Sequence, residues 1–154
     1  MKHVIIIGCY SFIMIRILLL LELPRIKNII KLLMNTDEKH KIDLFNRGLE
    51  AFRKHDFYDA HEYWEDLWSD YRLKDAKFIQ GLIQLSVGYF HISNLNINGA
   101  RGLLNKCKPK LVRFSPKYRE LNVLHILESV DRSLDFLEKN SDISKFDWSL
   151  VPNL

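Results

Sequence analysis

Phe57 to Trp68 reads F-Y-D-A-H-E-Y-W-E-D-L-W. Bulky apolar residues recur there three and four apart, the period of a helix with one buried face. Phe57, Ala60, Trp64 and Leu67 with Trp68 form that face, and Tyr71 extends it. Upstream, Ile42, Phe45, Leu49 and Phe52 repeat the pattern, and the turn between the two runs falls at His55-Asp56. A connection so short predicts an antiparallel helical hairpin over about residues 37–71. Thr36 is the expected N-cap of its first helix, with Asp37 and Glu38 in the first turn, and Asp56 caps the second.

Working outward, Asp75 to Ile92 is apolar nearly all round, from Phe78, Ile79, Leu82 and Ile83 to Tyr89, Phe90 and Ile92. A helix of that character belongs at the centre of a bundle. A fourth helix is expected from Asn98-Gly99 through Leu103, Leu104 and Cys107, with Pro109 kinking or ending it. Ser115-Pro116 reads as a turn or a helix start. A fifth helix, roughly Asn122 to Lys139, turns Val123, Leu127, Val130, Leu134 and Leu137 inward. The tail, 141–154, is expected to be irregular, docked by Ile143, Phe146 and Trp148. Strand-like alternation is missing from the sequence. The class is therefore all-α: a single-domain bundle of about five helices around the central helix at about 75–92, the domain spanning 34–140.

Composition sets few further bounds. At 154 residues the chain is long enough for one core. Cys9 and Cys107 cannot make a disulfide framework, which points to a reducing compartment and a cytoplasmic location. The formal charge of +4 resides in residues 1–34, where Lys2, Arg16, Arg25, Lys27 and Lys31 face Glu22 alone. The rest of the chain is neutral, so a basic pI is a weak argument for nucleic acid, which is an unlikely partner here.

Val4 to Leu23 is apolar apart from Arg16 and Glu22, long enough to cross a bilayer if an arginine is tolerated within it. Residues 1–33 thus read in three ways: an over-extended gene start before Met34, a membrane anchor through residues 4–23, or a signal peptide without its small-residue cleavage site. An anchor would leave Arg25, Lys27 and Lys31 on the cytoplasmic side.

Helical angles select the residues able to carry chemistry. His61 lies about 60° from the centre of the second helix's apolar face and Glu65 about 100° from it. On the third helix Gln80, Gln84 and His91 share one stripe, with Val87 between them. Buried amides and imidazoles need partners. The sequence therefore predicts one internal polar pocket lined by His61, Glu65, Gln80, Gln84 and His91. His61, Glu65 and His91 could ligate a divalent metal with an open position, as in a metal-dependent hydrolase. A His/Glu pair could instead orient a general base. A hydrogen-bond network that fixes helix register needs neither. Trp64, Trp68, Phe57 and Tyr58 read as core sooner than as a ligand cage, and Cys107 as a small buried hydrophobe. His40, His55 and His125 read as surface or cap residues.

Charge is segregated too. Asp56 to Asp70 holds six acids and no Lys or Arg, and Arg101 to Arg119 holds seven bases and no acid. The acidic hairpin is expected to neutralise the basic stretch within the fold.

The hairpin resembles a single tetratricopeptide-like unit through Gly48, Ala51, Phe57, Ala60, Trp64 and Leu67, although such units need neighbours to be stable. A more specific likeness is carried by F-N-R-G at 45–48, A-H-E-x-W-E-x-L-W at 60–68, Q-G-L-I-Q-L at 80–85, Tyr89 with His91, and N-x-x-G-A at 96–100. In order and spacing these resemble the domain of unknown function 309 family of small helical proteins, over about residues 42–112. The resemblance implies a compact helical bundle and no particular activity. Pro109 and the S-N-L before Asn96 depart from the family pattern. Two function classes stay open: a metal-binding protein or enzyme built on the polar pocket, and a protein–protein interaction module binding through the hairpin surface. A homo-oligomer fits either.

Overall fold

The computed structural model describes residues 26–154 with their side chains and, before them, only the helical course from Val4. The anchor, signal-peptide and gene-start readings concern residues 1–33 and so fall largely outside the described residues. Among the described residues no helix is long and apolar enough to cross a membrane. The chain divides into two units between His40 and Lys41. In the first, Ile26, Ile29, Ile30, Leu32, Leu33 and Met34 are exposed.

In the second unit the end of α1 (Val4–Arg53) is followed by α2 (Phe57–Asp70), α3 (Ala76–Ser93), α4 (Ile97–Leu111) and α5 (Val123–Lys139). A two-residue hairpin, β1 (Lys117–Tyr118) with β2 (Leu121–Asn122), sits between α4 and α5, and short 3-10 turns complete the chain. The all-α bundle stands. The hairpin is the one element that alternation could not reveal, because two residues a side are too few to show a period.

The α1–α2 hairpin follows from its apolar faces. Phe52 and Phe57 meet edge to face across the turn, with ring centroids 5.1 Å apart. Farther from the turn the Trp64 indole N–H donates to the Phe45 carbonyl at 3.2 Å. Within each pair the two residues lie equally far from the turn, which is antiparallel register. Gly48 lets the helices approach: a Cβ there would stand 2.2 Å from Trp64 Nε1. α3 packs against both α2 and α4 and buries Phe78, Ile79, Leu82, Leu85, Tyr89 and Ile92. Against α4 it closes on Gly88, where a Cβ would lie 2.8 Å from Leu104. The central position of α3 is as its composition requires.

Several local expectations are corrected. Thr36 is no N-cap: α1 runs through it, and its hydroxyl donates to the Leu33 carbonyl as an in-helix serine or threonine does. Ile42 is exposed, and Leu44 joins Phe45, Leu49 and Phe52 in the core instead. Trp68 is 39% exposed while Leu67 is fully buried, so the shared position resolves in favour of leucine. Asp56 precedes α2 but makes no side-chain cap bond. Pro109 does not stop α4, which continues to Leu111 before passing into the 3-10 turn Val112–Phe114. So close to the helix end, the ring forfeits a single backbone bond.

The starts of α4 and α5 and the docked tail fall close to where the sequence put them. Asn96 caps α4 by accepting from Gly99 N–H at 2.9 Å, and Asn122 caps α5 by accepting from His125 N–H at 3.1 Å. The tail buries Ile143, Phe146 and Leu154, with two 3-10 turns that aspartates 142 and 147 begin by capping.

Candidate functional site

The five residues singled out above lie on two adjoining helix rims and do not enclose an interior. On α2, Tyr58, His61, Glu65 and Trp68 follow one another at helical spacing just beside the buried face. On α3, Gln80, Gln84, Val87 and His91 form the corresponding half-buried stripe. Tyr58 and Phe90 bring the helices together at one end, their rings 5.6 Å apart.

The three polar groups of α3 each have a local partner. The Gln80 carbonyl accepts from Lys77 Nζ at 3.3 Å, and that of Gln84 from Lys110 Nζ at 2.9 Å. Asn96 uses its carbonyl on Gly99 and turns its amide nitrogen to His91 Nδ1 at 3.3 Å. That amide is a donor, so Nδ1 of His91 accepts and the neutral ring carries its hydrogen on Nε2. Gly99 makes room for the imidazole, since a Cβ would stand 2.7 Å from His91 Cγ. Glu65 is exposed. No hydrogen bond or ion pair joins any two of the five among the described residues.

His61 stands apart. Its Nε2 lies 2.9 Å from a Glu62 oxygen, and its ring meets Tyr58 edge to face at 4.9 Å. Its Nδ1 is buried and has no partner. A buried nitrogen left this way costs on the order of 1–3 kcal/mol.

The metal triad is corrected by this geometry: His61, Glu65 and His91 do not converge, and no group of three His, Cys, Asp or Glu among the described residues could hold a metal. Gln80, Gln84 and His91 bond to Lys77, Lys110 and Asn96 and not to His61 or Glu65. The polar stripe lies at the rim, where lysine side chains and a cap asparagine satisfy it one group at a time.

Sequence reasoning missed Asp75 and Arg119. Asp75 stands at the start of an apolar helix, where its side chain makes no cap bond. Its nearly buried carboxylate accepts from Arg119 Nε at 2.6 Å and Nη2 at 3.1 Å, a bidentate pair. The guanidinium lies over the Phe45 ring at 4.7 Å. Burial raises the Tyr118 phenol beside this pair, and the Asp75 charge adds to the shift. Spacing offered no signal for a contact 44 residues apart.

The basic stretch finds partners elsewhere than on α2. Lys108 pairs with Asp131 of α5, Arg119 with Asp75, and Arg101 donates to the Leu137 carbonyl. The carboxylates of α2 consequently have no Lys or Arg counterion among the described residues, against expectation. Cys107 is buried as expected, and burial pushes its thiol up to about 12. Burial likewise raises the Tyr89 phenol, which shares a 3.1 Å hydrogen bond with Ser133. His55 is exposed, stacked on Phe57 with centroids 5.3 Å apart.

Residues 45–103 match the model of the family described as Domain of unknown function (DUF309). The chain thus resembles that family over the segment holding the α1–α2 hairpin, α3 and the start of α4. Neither the curated proteins nor the solved structures yield a match.

Proposed function

We propose that the protein is an interaction module that receives a lysine- or arginine-bearing segment of a partner protein along the outer rim of α2 and its seam with α3. One observation carries the reading. Asp59, Glu62, Glu65, Asp66 and Asp70 have no Lys or Arg counterion within the described residues, Glu62 meeting only the His61 ring, and the exposed rings of Tyr58 and Trp68 stand among them. Carboxylates beside half-exposed aromatics suit a cationic segment, because charge steers it and cation–π contact holds it. The His61 ring, edge to face with Tyr58, sits within the same rim. Gln80, Gln84 and His91 form the opposite bank, already bonded to Lys77, Lys110 and Asn96. A cytoplasmic location belongs to this proposal and rests on cysteine usage. The metal-dependent alternative lacks an assembled ligand set.

The test is fluorescence-polarisation binding of a set of Lys/Arg-rich and charge-reversed peptides to the full chain. Basic peptides should bind selectively, more weakly as salt rises. W68A combined with E65Q should weaken them at least tenfold while circular dichroism stays unchanged. Equal binding of acidic and basic peptides, or indifference to the double variant, would refute the reading. So would a concentration-dependent dimer that occupies the rim with a second copy of this chain.

A further inference from the structure

In the first unit every residue of α1 from Ile26 to Asn35 is exposed, yet its polar and apolar side chains are sorted. At about 100° per residue, Ile26, Ile29, Ile30, Leu32, Leu33 and Met34 fill one continuous arc of about 200°. Lys27, Asn28, Lys31 and Asn35 occupy the other side. Each of the six apolar residues is 49–65% exposed. Single apolar residues at a surface need no explanation, but a contiguous apolar face marks an interaction surface.

The shape and charge of this face select its occupant. A partner helix in a coiled coil needs a narrow apolar seam sustained over at least three heptads. Here the arc is broad, and Asp37 falls within it one turn beyond Leu33. The face therefore ends after about 15 Å, too short for a coiled coil. Its polar side carries Lys27 and Lys31 and no acid, and Arg25 directly precedes it in the sequence. Neither lysine has an ion-pair partner among the described residues. A broad apolar face with lysines on its polar side is the pattern of a helix lying in the plane of an anionic lipid surface.

We infer that residues 26–35 of α1 lie along an anionic membrane surface, with Ile26, Ile29, Ile30 and Leu33 entering the acyl boundary and Lys27 and Lys31 meeting lipid phosphates. Lysine stems are long enough to follow the apolar side chains inward while their ammonium groups stay among the headgroups. Burial of the apolar face supplies the hold, and the lysines select for negative lipid. The sorting of side chains at 26–35 rests on those residues alone, whatever the apolar run at 4–23 contributes to attachment. The surface is separate from the α2 rim and does not depend on its function.

The test places an environment-sensitive fluorophore on the full chain at one introduced cysteine, N28C, I29C, L33C or N35C, in a C9S background; Cys107 is buried. On vesicles of phosphatidylcholine with phosphatidylserine, emission from I29C and L33C should shift to the blue, and that from N28C and N35C should not. The shift should be lost on phosphatidylcholine alone, and lost from L33C when K27E and K31E are added. Attachment through residues 4–23 alone would leave the four positions alike, and that result would overturn the inference. So would a shift that K27E with K31E leaves intact, or no shift at any position. A blue shift at I29C and L33C without vesicles, growing with protein concentration, would assign the face to a second copy of this chain instead.

Discussion

Trp64 and Trp68 stand four residues apart on α2 and have opposite surroundings. Trp64 is fully buried, bonds the Phe45 carbonyl and lies tilted to Phe52 with ring centroids 6.1 Å apart; Trp68 is 39% exposed. The inner face of the helix is thus fixed by close contacts with α1. The outer rim carries carboxylates without Lys or Arg partners and aromatic rings exposed to solvent. One face of the helix builds the fold, and the other is available for function.

The sharpest way to break this contrast is W64A, which should cost about 3–5 kcal/mol, read as a lowered midpoint in urea unfolding. A loss below about 1 kcal/mol would mean the inner face is not the anchor it looks to be. G48A attacks the same contact from α1, because the added methyl meets an indole with nowhere to move. Overpacking of that kind should cost about 1–3 kcal/mol, with the double variant W64A/G48A restoring part of it relative to additivity. D75N tests a polar element of the core and should cost about 1–3 kcal/mol, since Arg119 keeps some access to water. W68A should change stability by less than about 0.5 kcal/mol and act on partner binding alone. A W68A variant as unstable as W64A would erase the distinction between the two faces.

How legible these features were depended on how local their causes are. The α2 face, the central character of α3 and the approximate starts of α4 and α5 each follow from residues within a turn or two of one another. Thr36 misled because a cap residue is recognised by type, and nothing in the residues around it tells that α1 passes straight through. The candidate site was half legible. Spacing put His61, Glu65, Gln80, Gln84 and His91 on facing stripes, and the two helices do adjoin. Whether those stripes met in the interior depended on the depth at which α2 seats against α3. Lys77, Lys110 and Asn96 then took the hydrogen bonds that an interior pocket would have shared.

By itself the sequence determined that this chain is a helical bundle, which helix is central, and that α2 is acidic throughout, because periodicity and composition act over a few residues. Tertiary structure alone decided that Asp75 holds Arg119, that Arg101 and Lys108 of the basic stretch answer to α5 and not α2, and that a cleft forms beside Arg53. Those outcomes depend on distances between segments remote along the chain, and such distances are set only when the whole core closes.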